Sequence, residues 1–182
     1  LKISSTKCCV LNIGRKTDAV NYYIDGQLLP SVDQVTDLGI TLDSKLRFSI
    51  HINKIVNKAI TRANLILKCF YSRDTSNLIK AFKVYVRPII EYCSPAWSPH
   101  LVKDIVLLES VQRKFTKRLP GMRNIPNSQR LKLLNLERLD VRRLRVDLML
   151  AYKIVFGIIA DTDISQFFYR FSKRLQHSWP SI

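Results

Sequence analysis

A continuous apolar stripe between residues 52 and 70 constrains the fold of this chain more than any other feature. Its apolar residues recur at three- and four-residue spacing, the period of one helix face. They are Ile52, Ile55, Val56, Ala59, Ile60, Ala63, Ile66, Leu67 and Phe70. The pattern predicts a helix of about twenty residues with one buried side. The chain is therefore expected to be built mainly on helices.

Helical periods continue beyond this stripe. A second helix is predicted from an N-cap at Ser76 to residue 90, kinked or divided at Pro88, and a third from 105 to 119, ended by Pro120 and Gly121. Residues 94–99 hold two prolines, so a loop anchored by Trp97 is expected there. A short helix or turn is expected at 131–136. A long final helix follows, and its two predicted faces are apolar (Leu144, Leu148, Ala151, Val155, Ile158) and basic (Arg138, Arg142, Arg145).

The first fifty residues have strand character instead. Residues 8–13 form a β-rich run, residues 22–30 place Asp25-Gly26 between two apolar segments, and residues 38–42 indicate a third strand. Asp-Gly is a strong hairpin signal because both turn positions need positive φ. The predicted fold class is α+β, mostly α, with a short N-terminal hairpin or sheet followed by a helical bundle.

Cysteine, histidine and hydropathy patterns narrow the class of protein. Four cysteines at spacings that match no disulfide framework or zinc motif favour buried free thiols in a reducing, intracellular compartment, nucleus or cytoplasm. The three histidines are dispersed and are interpreted as structural or surface residues. The longest apolar run, 154–160, has seven residues, whereas a membrane span needs about 20, so no membrane partner is expected.

Charge indicates the partner. The 182 residues carry 30 Lys+Arg against 14 Asp+Glu, and residues 51–100 and 101–150 hold most of the excess, with 8 against 2 and 12 against 5. Lys54, Lys58 and Arg62 align along one helix edge, which suits either phosphate contact or a solvated face. The denser run 113–123 favours phosphate contact. Four cations of this run belong to the predicted nucleic-acid site, Arg113, Lys114, Lys117 and Arg118. Lys54, Lys58 and Arg62 complete that site.

Catalytic signals are missing from the sequence. The acidic residues of the first fifty positions stand singly, whereas a two-metal site needs paired carboxylates, and no glycine-rich phosphate loop occurs. Tyr22 and Tyr23 could stack on a base or ribose, or pack across the hairpin. The residues alone thus predict a basic, mostly helical nucleic-acid-binding module that reads phosphates without sequence specificity.

Several segments carry a family resemblance. They are DLGITLDSKL at 37–46, His51-Ile52, VRPIIEYCSPAWSP at 86–99, LESVQRKFT at 108–116 and RRLRVDL at 142–148. In residues and in order they resemble the region downstream of the polymerase active site in reverse transcriptases of non-LTR (LINE-type) retrotransposons. The resemblance spans nearly the whole chain and implies a fragment of an RNA-directed DNA polymerase.

The resemblance also assigns roles. It implies palm-end strands and a primer-grip-like hairpin at 1–48, thumb-like basic helices at 49–119 and a helical linker or extension at 120–182. In the family, aspartates of an aromatic-Ala-Asp-Asp turn bind Mg²⁺ upstream, and this chain has no Ala-Asp-Asp, so no cofactor and no catalytic residue is expected here. Lys7 resembles the lysine that follows that turn. The primer-grip-like residues are Tyr22, Tyr23, Leu38 and Gly39.

The expected partners follow from these roles. They are an RNA or DNA template-primer, bound through its phosphates, and the upstream palm and fingers of the parent polyprotein. Two other functions stay open: an independent nonenzymatic RNA- or DNA-binding protein, and a helical protein-interaction module whose charge serves acidic partners. Salt separates the last from the others, because phosphate contacts weaken steeply as salt rises.

Overall fold

The computed structural model describes residues 3–14 and 20–159, and helices dominate them. The fold is α+β and mostly α, as predicted. The helices are α1 (Ser49–Cys69), α2 (Thr75–Ala81), α3 (Arg87–Glu91), α4 (Ser94–Trp97), α5 (Val102–Lys117), α6 (Asn127–Leu133) and α7 (Leu139–Val155), with a π-helical segment at Phe82–Val86 and a 3₁₀ turn at Ser5–Lys7.

Within the described residues, six short strands precede the helices. They are β1 (Val10–Leu11), β2 (Tyr23–Ile24), β3 (Gln27–Leu28), β4 (Ser31–Val32), β5 (Gln34–Asp37) and β6 (Ile40–Asp43). β2 and β3 form the predicted hairpin, whose turn residues Asp25 and Gly26 have φ of 49° and 75°. β5 pairs antiparallel with β6, and β1 pairs parallel with β4, so each sheet has two strands.

The prediction started the third strand at residue 38, two residues before β6 begins. Leu38 and Gly39 are not strand residues but the two-residue turn between β5 and β6, with φ of 44° and 84°. Positive φ at both positions is the type I′ geometry that matches strand twist. Gly39 is explained by this conformation, because an added Cβ would meet the Tyr92 ring at an ordinary 3.8 Å.

One hydrophobic core joins the strands to the helices. It extends from Ile40 in β6, through the predicted stripe of α1, to Leu139 in α7. Phe82 stacks on Phe115 with ring centroids 4.7 Å apart, which locks the π-helical segment onto α5. The Trp97 ring is buried, as predicted for an anchor, and its Nε1 donates to the Tyr92 carbonyl at 2.8 Å.

The second predicted helix is divided, and its start differs from the prediction. Pro88 lacks an N–H and cannot continue a regular ladder, and the π-helical segment directly before α3 accommodates it. The N-cap is Asp74 rather than Ser76, since the Asp74 carboxylate accepts from the Asn77 N–H at 2.9 Å. Ser94–Trp97, expected to be a loop, forms the single turn α4.

Helix α7 has the predicted position but is rotated about its axis relative to the prediction, so that a different face is buried. Leu144, Leu148 and Val155, predicted to face the core, are 57%, 61% and 47% exposed, whereas Arg143 is buried. Both terminal nitrogens of Arg143 have no hydrogen-bond partner within the described residues. Burial lowers the pKa of its guanidinium, and nearby acids led by Glu109 oppose that shift.

The cysteines also differ from their prediction. All four are free, but Cys8 and Cys9 are only half-buried, and Cys69 and Cys93 are exposed. Within the described residues, no helix is both long and apolar enough to cross a membrane.

Candidate nucleic-acid interface

The predicted basic residues lie on two helices that pack in parallel. At their first turns the Ser49 hydroxyl donates to an Asp104 carboxylate oxygen at 2.7 Å. Near their last turns the Arg118 guanidinium donates to the Asn64 side-chain oxygen. The partners are 55 and 54 positions apart, so a constant offset relates the two helices. Lys58 and Arg62 therefore lie at about the heights of Arg113 and Lys117 along the pair.

The dense cluster, which consists of Arg113, Lys114, Lys117 and Arg118, lies at a groove between α1 and α5. Lys114, Lys117 and Arg118 border it on the α5 side, and Ile60 and Asn64 border it on the α1 side. Val111 and Phe115 close its floor and are buried. Arg113 lies one residue before Lys114, about 100° round the helix, and is exposed on the outer side of α5. The four cations thus spread from the groove onto the outer face.

The basic residues predicted on α1, Lys54, Lys58 and Arg62, do not line this groove. Lys58 and Arg62 are each two residues from Ile60, which places them nearly opposite it at 100° per residue. The Lys54 ammonium donates to the Thr41 hydroxyl at 3.2 Å, so its side chain lies towards β6. The structure therefore separates the two predicted basic sets around α1.

The surface between the two sets is free of acids. Exposed Asn57, Thr61 and Lys68 cover the intervening side of α1, and the helix contains no Asp or Glu. We call this continuous region the α1–α5 basic surface. Its defining cations are Lys54, Lys58, Arg62, Arg113, Lys114, Lys117 and Arg118.

Ion pairs divide the cations of the chain into two groups. Among the described residues, the ion pairs join arginines of α3 and of the α7 region to Glu91, Glu137 and Asp140. Arg142 donates to the Glu91 carboxylate through Nε at 2.6 Å and Nη2 at 3.1 Å, and hydrogen bonding to Glu91 raises the pKa of Arg142. The cations of the α1–α5 basic surface take part in none of these pairs. Within the described part of the chain, no carboxylate neutralises their charge.

Sequence reasoning missed part of this surface. Lys68 is an exposed cation of α1 that belongs to neither predicted set, and Arg123, which ends the run 113–123, is exposed but was not included in the predicted site. A signal for them exists in the sequence, because no acid occurs between Asp43 and Asp74 or between Glu109 and Glu137. Each of these two acid-free runs carries seven Lys or Arg residues. The distribution of acids indicates the surface better than the spacing of cations.

A buried arginine holds the end of the dense cluster. Arg130 of α6 is 4% exposed and donates to the Ile125 carbonyl at 2.6 Å and to the Asn127 side-chain oxygen at 3.0 Å. It also reaches the Arg113 carbonyl and the Thr116 hydroxyl, each at 3.4 Å. The carbonyl end of a helix favours a cation. Arg130 thereby ties the last turn of α5 to the loop that follows it.

The primer-grip-like residues lie in the two hairpins. Tyr23 pairs with Leu28 across the first hairpin, and both side chains are more than half exposed. The neighbouring Tyr22 is half exposed. Leu38 is 82% exposed at the tip of the β5–β6 hairpin, where its carbonyl accepts from the Tyr92 hydroxyl at 3.3 Å. Lys7 ends the 3₁₀ turn and is exposed. The tyrosine rings are therefore accessible for stacking.

His51 has a structural role, one of the two options predicted for the histidines. It is buried, its Nδ1 accepts from the Thr41 N–H at 3.2 Å, and its ring meets that of Trp97 edge-on with centroids 5.3 Å apart. Burial, aided by the charge of Lys54, lowers the pKa of His51. Because Lys54 also reaches Thr41, these residues join β6 to the start of the basic stripe.

The described residues bring no three His, Cys, Asp or Glu side chains together as a metal site. Mg²⁺, which the resemblance places in a parent polymerase, thus finds no such ligand set among them.

A comparison with known proteins finds a distant relative. The chain is 29% identical over 136 residues to an uncharacterized protein of Caenorhabditis elegans, and the alignment covers 73% of this chain and 69% of that protein. No protein-family model matches the sequence. No solved structure matches it.

Proposed function

We propose that this chain binds nucleic acid through phosphate contacts on the α1–α5 basic surface. The observation that carries the proposal is the division of charges: Arg142 and Arg145 of α7 pair with carboxylates, whereas among the described residues the cations of the α1–α5 basic surface form no ion pair. A cluster of unpaired cations on rigid helices lowers the energy of a bound polyanion and releases its counterions. A site of this kind positions a backbone and does not read bases.

We further propose that the chain acts as the template-primer-holding region of a non-LTR retrotransposon reverse transcriptase. Support comes from the contacts among the segments that carry the resemblance. Segments 37–46 and 86–99 meet where Tyr92 binds Leu38, and segments 86–99 and 142–148 meet in the pair Glu91–Arg142. Catalysis would belong to a parent protein with the missing aspartates. The exposed Tyr22 and Tyr23 are the residues we propose to contact the primer.

A salt titration of two matched variants tests the phosphate contacts. Fluorescence anisotropy with a labelled RNA–DNA hybrid is measured for the wild type and for a variant with Gln at Arg113, Lys114, Lys117 and Arg118. Each lost phosphate contact should reduce the slope of log affinity against log salt by about 0.9. We expect weaker binding and a slope lower by about 3 to 4, with unchanged preference among sequences.

The matched control removes the same formal charge from residues that are not part of the α1–α5 basic surface. It carries Gln at exposed Lys80, Lys132, Arg138 and Arg145, of which the last two are already paired with acids. We expect this variant to keep a steeper salt slope than the α5 variant. Equal effects of the two variants would mean that net charge alone attracts the nucleic acid. Binding that resists salt would instead favour the protein-interaction module.

A further inference from the structure

The groove between α1 and α5 has an apolar floor as well as a basic rim. Its volume is about 370 Å³, near the lower end of the range for small-molecule sites, about 300 to 1,000 Å³. Apolar side chains line it from both helices, and no carboxylate is among its described lining residues. The apolar members are Ile60, Ala63, Val111 and Phe115. Phosphate contacts need only the cations, so the apolar floor suits a second ligand group, compact and apolar, that is attached to an anion.

An anchored guanidinium lies at this groove. Arg118 donates through Nη1 to the Asn64 side-chain oxygen and so links the end of α5 to α1. A side chain that is already held in place loses less entropy when a ligand packs on it. Guanidinium planes stack on the faces of unpaired nucleobases, whereas ammonium groups such as those of Lys114 and Lys117 act as point charges. Arg118 therefore offers a preformed stacking plane beside two phosphate-binding cations.

The same hydrogen bond fixes the orientation of the Asn64 amide. Arginine carries donors only, so the Asn64 oxygen faces Arg118, and the amide nitrogen is the group that Asn64 can offer to a ligand. Each nucleobase has ring-nitrogen or carbonyl acceptors on its edges. A single donor at this position can thus bind any of the bases, in keeping with a site that has no sequence preference. The apolar stems of Lys114 and Lys117 add contact area at the rim.

We propose that the groove takes one unpaired nucleobase of a bound nucleic acid, with Arg118 stacked on its face and the Asn64 amide on its edge. Lys114 and Lys117 then meet the phosphates on either side of that nucleotide. A base inside a duplex is paired and stacked, so the occupant comes from a single-stranded end next to the duplex. The neighbouring cations hold the rest of the strand, which favours a nucleic acid over a free nucleotide. This inference rests on the proposed phosphate contacts and deepens them.

Two hybrids of equal charge test the proposal. Each is a labelled RNA–DNA duplex with a short single-stranded end, and in one of them that end is abasic, so the two differ in their bases and not in their phosphates. Fluorescence anisotropy with the full chain measures both affinities. We expect the wild type to bind the hybrid with intact bases about five- to 100-fold more tightly. Equal, salt-dependent affinities would overturn this inference and leave the proposed phosphate contacts standing.

Two matched variants assign the preference to the groove. Asn64→Leu keeps the charge of the protein, removes the amide and releases Arg118. Asn57→Leu makes the same change about two turns earlier on α1, at an exposed residue outside the groove. We expect the preference for bases to fall below about twofold in Asn64→Leu and to persist in Asn57→Leu. Both variants should keep the wild-type salt slope, because neither removes a cation. A preference that survives in Asn64→Leu would refute the proposal.

Photocrosslinking of the wild type decides the case in which Asn64→Leu does not fold. A photoreactive thiouridine is placed in the single-stranded end, and the crosslinked peptides are mapped by mass spectrometry. We expect attachment within residues 60–64 or 111–118, and attachment only elsewhere would refute the groove as the site. A wild type that binds neither hybrid, or binds both without dependence on salt, would refute the proposed phosphate contacts and this inference together.

Discussion

Replacement of Arg130 by lysine should destabilise the protein by about 3 kcal/mol. The guanidinium is 4% exposed and serves two close acceptors, the Ile125 carbonyl at 2.6 Å and the Asn127 side-chain oxygen at 3.0 Å. Two more acceptors, Arg113 O and Thr116 Oγ1, lie at 3.4 Å. Hydrogen bonds to a charged group contribute about 1.5 to 3 kcal/mol each. A lysine ammonium carries no planar fork, so we expect it to keep one close bond and lose the other.

Urea unfolding followed by circular dichroism measures this loss, and a thermal scan should show a midpoint lower by about 6 to 12 °C. The matched control is Arg123→Lys, an exposed arginine in the loop that Arg130 stabilises, with an expected change within about 0.5 kcal/mol. A change of less than about 0.5 kcal/mol for Arg130→Lys would refute the assignment of a structural role. Since Arg130 holds the last turn of α5, its loss should also weaken hybrid binding in the anisotropy assay.

Two further predictions concern the β5–β6 hairpin and its contact with α1. Because the pKa of His51 is lowered in the folded protein, folding favours its neutral form. The stability that His51 contributes is therefore fully present above its pKa of 6.5 in the unfolded chain, and it is lost as the pH falls towards the lower pKa of the folded protein. His51→Asn, which keeps an acceptor for the Thr41 N–H, should flatten this dependence in urea titrations at about pH 7.5 and pH 6, and an unchanged slope would contradict the assignment. Leu38→Asn should stabilise the protein by about 0.5 to 1 kcal/mol, because Leu38 is 82% exposed at φ of 44° and asparagine tolerates that conformation better. Leu38→Ala is the control. An equal gain from the alanine variant would show that backbone strain is not the cause.

The sequence predicted the helices well because their signals are local. The stripe of α1, the Pro120-Gly121 stop after α5 and the Asp25-Gly26 turn each follow from residues that are close in the chain. The Leu38-Gly39 turn was missed because Leu38 is a poor residue for positive φ and gives no turn signal. The N-cap at Asp74 was missed because three polar candidates stand together, and only the hydrogen bond to Asn77 distinguishes them.

The orientation of α7 could not be predicted from its own sequence. Both of its faces contain apolar residues or arginines. Which face is buried depends on Glu91, Glu137 and Glu109, which lie outside this helix. The Asp140 N–H donates to Glu109 at 2.8 Å, and burial raises the pKa of that carboxyl. These distant acids fix the helix with Arg143 inward, and the sequence pattern of a single helix does not contain them.

The same acids explain why a count of basic residues does not locate a binding surface. The arginines of α7 were predicted to form a basic face, and the structure pairs Arg138, Arg142 and Arg145 with carboxylates. Most of the charge on that helix is thereby compensated within the protein. Among the described residues, the cations in the acid-free runs 44–73 and 110–136 form no such ion pair, although the two predicted sets lie on different sides of α1. A nucleic acid bound at both sets must therefore extend around the outer face of α1, past Asn57, Thr61 and Lys68, and a Lys68→Gln change should then weaken binding even though it belongs to neither set.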